Sequence, residues 1–117
     1  NLAILVAALI MVESGGDPSA VGDGGNAVGC LQIWPCVVED VNSFISDQQP
    51  PFTLASRYDC EKSRQMCQIY LRHYGRASRL GHEPTFEDLA RIWNGGPNGF
   101  KKDSTKKYWE KVKKMLK

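Results

Sequence analysis

The stretch that most constrains this chain is Met11–Pro35, MVESGGDPSAVGDGGNAVGCLQIWP. An apolar run, Leu2 to Val12, leads into it and ends on one carboxylate, Glu13. Leu2, Leu5, Val6, Leu9 and Ile10 recur at helical spacing, so the run predicts a mostly buried helix over about Leu2–Ser14. Ser14, Gly15 and Gly16 stop it. Leu9 and Ile10 stand four and three positions before Glu13, on the same helix face. Glu13 is therefore expected beside apolar side chains at the negative end of a helix, and both effects favour its protonated form. A general acid working near neutral pH needs that shift. A glutamate in a last helical turn is more often simply solvated. The glycine-rich loop downstream of Glu13 argues otherwise.

Asp17 to Gly29 holds four glycines and no regular period, which predicts a loop or a small hairpin around Asp23, Gly24 and Gly25. Glycine-rich loops allow a ligand close to the backbone. No Lys-Ser or Lys-Thr comes after the glycines, so this is not a phosphate loop. Asp17 stands before Pro18 and suits a turn.

Downstream, Pro35 fits the first turn of a helix over about Pro35–Phe44. DQQPPF, Asp47 to Phe52, reads as a connector. A third helix is expected over about Asp59–Ala77 with Asp59 as N-cap. Its apolar stripe includes Cys60, Met66, Cys67, Tyr70 and Tyr74, and Arg64, Arg72 and Arg76 form a basic side. Gly81–Pro84 is a turn. Thr85 then caps a helix that stops at Asn94-Gly95-Gly96-Pro97. A last helix is expected from near Ser104 to the end, with Tyr108, Trp109 and Val112 as anchors. Five helices, one glycine loop and little strand make the class mainly α.

With 117 residues, 42% of them apolar, the chain is expected to form one domain with a real core. Residues 101–117 carry eight lysines against Asp103 and Glu110, a net +6, while the first hundred residues sum to −4. Such a tail suits an anionic polymer or a solvated helix face. A basic nucleic-acid or membrane-surface module rests on that tail alone, without a base-reading motif. The longest apolar run is shorter than the ~20 residues a bilayer requires, so no membrane span is expected. A start at Asn1 rather than Met suggests a processed protein or an excised domain.

Four cysteines, Cys30, Cys36, Cys60 and Cys67, allow three full pairings. Cys60 and Cys67 are seven apart in one expected helix, a rise of roughly 10.5 Å, whereas a disulfide wants Cα atoms within about 7 Å. Full pairing then joins Cys30 and Cys36 to Cys60 and Cys67, with Cys36 to Cys60 or Cys67 favoured, against four reduced thiols. The spacings are not those of a zinc site, and no metal or cofactor is expected.

Three separated patches form a familiar order. ALIMVESGGDPSAVG carries Glu13 and Ser14; GNAVGCLQIWP carries Gly29, Leu31, Gln32 and Pro35; ARIWNGGPNG carries Trp93, Asn94, Gly95 and Gly96. A fainter fourth, STKKYWEKVKKML, carries Tyr108. Together they resemble the soluble lytic transglycosylases and goose-type lysozymes, and the likeness spans almost the whole chain. The segment Gly22-Asp23-Gly24-Gly25-Asn26 also resembles the goose-type loop, where an aspartate stands at that point. The resemblance implies a lysozyme-like α+β fold over residues 1–117, a single catalytic domain with a sugar cleft. It implies cleavage of the β-1,4 bond between N-acetylmuramic acid and N-acetylglucosamine in peptidoglycan, by a monomer that is secreted or otherwise extracytoplasmic. Glu13 matches the catalytic acid. Ser14, Gln32 and Asn94 match positions that hold the substrate or the acid, and Gly95 and Tyr108 belong to the same motifs. Trp93 stands where the family has tyrosine, which keeps an aromatic wall and removes a hydroxyl. Trp34 stands where the goose-type pattern has a further aspartate.

Glycoside cleavage needs a proton for the leaving oxygen and a group that meets the oxocarbenium-like centre. Glu13 is the expected source of the first. In a hydrolase a second carboxylate positions water, and Asp23 is the candidate. In a transglycosylase the sugar's own 6-hydroxyl attacks and Glu13 alone serves as acid and then base. Asp23 as a plain turn residue is the competing reading. Trp34, Trp93 and Tyr108 are candidates to stack on sugar rings, while Trp109 suits the core. A catalytically inactive module that binds cell wall or a protein inhibitor is the alternative function.

Overall fold

The computed structural model describes residues 1–45 and 51–117. The first helix, α1 (Leu2–Glu13), is apolar nearly all round and runs through the core. The Asn1 side chain accepts from the Ala3 amide at 2.9 Å and caps it. Leu5, Val6, Ala8, Leu9 and Ile10 are buried, and α1 packs against three later helices. Gly15 and Gly16 come next, at φ +67° and +93°. Left-handed backbone of this kind costs little only for glycine, so the helix ends here.

The glycine loop folds into a minimal hairpin, β1 (Val21–Gly22) against β2 (Ala27–Val28), with a 3-10 turn at Asp23–Gly25 between them. Val28 pairs in turn with Ile33. The Gly29 amide donates to the Ala20 carbonyl at 2.8 Å, so the next turn folds back onto the hairpin. Helix α2 (Pro35–Phe44) has the expected bounds, with Pro35 in its first turn. Residues 47–50 of the expected DQQPPF connector lie outside the described residues. Phe52 is pinned by its backbone, donating to Asn42 Oδ1 and accepting from Asn42 Nδ2, both at 2.8 Å. Leu54–Tyr58 then forms a 3-10 turn where no element was expected.

Helix α3 (Cys60–Tyr74) begins at Asp59, whose Oδ1 accepts from the Lys62 amide at 3.1 Å. It stops three residues short of the expected Ala77. Gly75 packs so tightly that a Cβ there would lie 2.3 Å from Leu89 Cδ2 and 2.6 Å from the Leu71 carbonyl. The chain breaks and restarts as a short α4 (Ala77–Leu80). Helix α5 (Phe86–Gly95) has the Thr85 cap, reciprocated by Asp88, and ends at Gly96 with φ +89°. Two 3-10 turns, Gly99–Lys101 and Asp103–Thr105, lead into α6 (Lys106–Met115), two residues later than expected. The described residues therefore hold six α-helices and a two-stranded sheet, mainly α with a small β element. Leu5, Leu9, Leu31, Ile33, Met66, Leu71, Ile92 and Val112 form the driest part of the core. No helix among the described residues is long and apolar enough to cross a membrane.

The cysteines depart from the expected bridge between Cys36 and α3. All four are free thiols. Cys36 is exposed in the first turn of α2, whereas the neighbour of Cys60 is Cys30.

Candidate active site

Two backbone devices set the walls of a cleft above the end of α1. On the hairpin side, the Arg57 guanidinium is nearly buried and donates to the carbonyls of Leu54 (2.9 Å), Asn26 (3.1 Å) and Ile33 (3.0 Å). On the other side, Arg91 donates to Thr105 Oγ1 (2.8 Å), Glu87 (2.8 Å) and the Lys102 carbonyl (3.0 Å). Gly99 closes onto the Arg91 carbonyl, where a Cβ would meet the oxygen at 1.9 Å. This second network fixes the approach to α6, and α6 brings Tyr108 over the end of α1.

Tyr108 donates to Glu13 Oε2 at 2.7 Å, across 95 residues of chain. Glu13 has its pKa raised from an ordinary 4.5 to about 7. Burial is the largest cause, and the charge of Asp23 adds to it; the Tyr108 hydrogen bond and Lys111 act the other way. Burial also raises the Tyr108 hydroxyl, so it stays a donor. Cys67, wholly buried, lies near Glu13, and its thiol is likewise held neutral by burial.

Glu13, Asp23, Gln32, Trp34, Trp93 and Asn94 line one cavity of about 290 Å³, together with Ile33 and Val37. A larger hollow of about 450 Å³ lies elsewhere, between Pro51–Ser56 and α3, and among the described residues its lining includes no carboxylate. Both carboxyl groups singled out in the sequence, Glu13 and Asp23, line the smaller one.

Asp23 is exposed and takes φ +50°, a left-handed conformation that aspartate tolerates better than most residues. Its carbonyl accepts from the Asn26 amide and side chain, at 3.3 and 3.1 Å. Among the described residues its carboxylate accepts no hydrogen bond, so the side chain does not cap its own turn. Asp17 does: its Oδ1 accepts from Ser19 N and Oγ at 2.9 and 2.8 Å.

Gln32 also has a positive φ, +52°. Its Nε2 donates to the Ala20 and Gly29 carbonyls at 3.1 and 3.0 Å, which fixes the amide orientation because only the NH₂ end donates. Its Oε1 lies against Gly22, where a Cβ would come within 2.6 Å. Trp93 meets Tyr70 edge-on at 5.5 Å, and Trp34 is 41% exposed at the rim.

The remaining expected site residues lie outside the cavity lining. Ser14 Oγ donates to the Cys30 carbonyl (2.8 Å) and accepts from the Gly16 and Asp17 amides (3.1 and 3.2 Å). It ties the end of α1 to the Gln32 turn. Gly95 makes room for Thr105, whose Cγ2 a Cβ would meet at 2.5 Å. Tyr108 reaches the acid itself. Sequence reasoning misses Arg57 and Arg91, since no local pattern separates a buried arginine from a solvated one. Among the described residues no three His, Cys, Asp or Glu side chains gather to hold a metal ion.

A mostly helical domain whose half-buried helix-end glutamate shares a cavity with an aspartate of a small hairpin has the lysozyme-like α+β fold. The transglycosylase SLT domain model matches residues 2–116, and the chain belongs to that family. No curated protein matches the chain. Among solved structures, a chain of the crystal structure of Aeromonas hydrophila PliI in complex with Meretrix lusoria lysozyme is similar. It is 25% identical, with a TM-score of 0.77, over 95% of this chain and 87% of that one.

Proposed function

We propose that this domain cleaves the β-1,4 bond between N-acetylmuramic acid and N-acetylglucosamine in peptidoglycan, with Glu13 as general acid and Asp23 as the second carboxylate. The observation that carries the reading is the shared cavity: a carboxyl with its pKa near neutrality and an exposed carboxylate line the same 290 Å³. Glu13 delivers its proton to the glycosidic oxygen as the bond breaks. Positive charge then builds at the sugar's anomeric carbon, and the Asp23 carboxylate stabilises it or orients water toward it. Gln32 Oε1, Asn94 and the faces of Trp34 and Trp93 hold the sugars. On this reading residues 1–117 act as one catalytic domain, a monomer outside the cytoplasm, without metal or cofactor.

Two fates of the glycosyl centre are open to this site. The Asp23 carboxylate, which accepts no hydrogen bond among the described residues, favours attack by water. Membership of the transglycosylase SLT family favours attack by the muramyl 6-hydroxyl, with Glu13 returning as base. Mass spectrometry of fragments released from purified peptidoglycan separates them. We expect reducing muramyl ends, and Asp23→Asn lowering their release by about a hundredfold. Ends lighter by one water, with Asp23→Asn nearly inert, select the 1,6-anhydro route. Glu13→Gln abolishes either, at a cost of about a thousandfold.

The similar chain from a complex of PliI and a lysozyme supports a second reading, a lysozyme-like module that binds a protein inhibitor without cleaving. Absence of fragments from several wall types, with retained binding to an inhibitor, selects it.

A further inference from the structure

The backbone brings two of the four cysteines to neighbouring segments. Cys30 lies in the turn before Gln32, wholly buried, and Cys60 opens α3, half-buried. Gly29 rests on the Arg57 carbonyl so closely that a Cβ would lie 1.8 Å from the oxygen. Arg57 Nη1 holds the Asn26 and Ile33 carbonyls on either side of that turn. Ser63 Oγ, in the first turn of α3, donates to the same Arg57 carbonyl at 3.1 Å. The turn and the start of α3 are thus fixed against each other independently of the cysteines. Cys30 follows Gly29, and Cys60 stands between Arg57 and Ser63, so both cysteines flank this one contact. Burial, with the Cys60 thiol as a neighbour, raises the Cys30 thiol.

We propose that Cys30 and Cys60 are a disulfide-forming pair, a covalent staple between the turn that carries Gln32 and the start of α3. The step is exchange with an external disulfide, either a small molecule or a thiol oxidoreductase. Cys60, the more exposed, attacks one sulfur of that disulfide as thiolate and releases the first external thiol. Cys30 then attacks the Cys60 sulfur of the mixed disulfide and expels the second external thiolate, which takes up the Cys30 proton and leaves as the thiol. Two protein thiols are oxidised, giving up two electrons and two protons, and the external disulfide is reduced to two thiols. Cys67 also lies near Cys30, but it is wholly buried and out of reach of such a reagent. Cys36 is exposed on α2, in the first turn of that helix.

The test is to incubate the folded chain with oxidised glutathione, alkylate free thiols under denaturing conditions and map the linked peptides. A Cys30–Cys60 peptide is expected, with a melting temperature raised by roughly 10 °C over the reduced chain. Cys60→Ser removes both effects, and Cys36→Ser leaves both intact. Full alkylation of all four cysteines after oxidation overturns the proposal. So does a dominant link through Cys36 or Cys67, or a Cys30–Cys60 link that lowers the melting temperature. The peptide map on the native chain stands even where a variant folds poorly, and neither readout depends on the glycosidase activity.

Discussion

Arg57 and Arg91 each pin one wall of the cleft, and they hold different partners. Both are less than 10% exposed, at 8% and 9%. The hydrogen bonds of Arg57 go to backbone carbonyls from three segments, at Asn26, Ile33 and Leu54. Those of Arg91 go to a carboxylate one helical turn earlier, a hydroxyl and one carbonyl. The hairpin beside Arg57 has strands of only two residues each, so it has few ladder bonds of its own. A guanidinium supplies the donors that a longer sheet would have supplied. The opposite wall is built from helix ends and 3-10 turns that satisfy most of their own backbone. Arg91 there acts as a tie between α5 and the turns before α6. The wall that carries Asp23 and Gln32 therefore depends on its arginine more than the wall that carries Tyr108.

Replacing each arginine by methionine tests that difference directly. Arg57→Met takes the guanidinium donor from three carbonyls, of which only that of Ile33 is shown to keep another, the Val28 amide at 3.2 Å, and we expect a loss of about 4 kcal/mol. Arg91→Met is expected to cost less, about 3 kcal/mol, because Glu87 is 44% exposed and returns to water. Thr105 Oγ1 also still reaches the Gly99 and Lys102 carbonyls at 2.8 Å. Urea unfolding of both variants measures the order. Equal losses, or a larger loss at Arg91, break the comparison.

The same contrast explains how much of the molecule is legible in its sequence. Glu13 is legible because local features surround it: an apolar helix before, a glycine stop after. The bounds of α2 and the cap of α5 come from Pro35 and Thr85 for the same reason. The Arg57 clamp is not legible, since its partners lie up to 31 residues away and an isolated arginine carries no mark of burial. The motif around Tyr108 points to the substrate, while its hydroxyl contact to Glu13 depends on how α6 docks. The break at Gly75 is hidden by an apolar pattern that continues through Leu80; close packing against Leu89 and the Leu71 carbonyl requires a glycine there. Spacing leaves both Cys30 and Cys36 as partners for α3; that the Cys30 turn is the one that packs onto the start of α3 comes from Arg57 and Gly29, a long-range contact that spacing does not encode.

Both walls meet at Glu13, and its proton reports on them. The folded chain holds that proton up to about pH 7, against an ordinary value of 4.5. Because the folded pKa is raised, the favourable contribution of the protonated carboxyl is whole below pH 4.5 and is lost as pH rises through about 7. Glu13→Gln removes that dependence. The variant should match the native chain near pH 4 and exceed it by roughly 2 kcal/mol above pH 7, allowing for partial solvent screening. Thermal or urea unfolding across this range measures it. A pH-independent difference would show that the Glu13 carboxyl is not desolvated as the walls require.

Tyr108→Phe is the mildest change and isolates the contribution of the α6 wall to the acid. It removes the 2.7 Å hydrogen bond and leaves the ring in place. That bond opposes the rise caused by burial, so without it the Glu13 pKa moves further up. The proton then stays on Glu13 to higher pH, and the alkaline fall in kcat/KM should move upward by about one pH unit. The bond also orients the carboxyl, so the plateau rate should fall about tenfold or less. A pH–rate profile on purified peptidoglycan separates the two effects. An upward limb with a lower plateau is expected if Tyr108 both tunes and positions the acid. A lower plateau with an unmoved limb would mean that the hydroxyl only positions it, and that burial alone sets the pKa on which the α1 end depends.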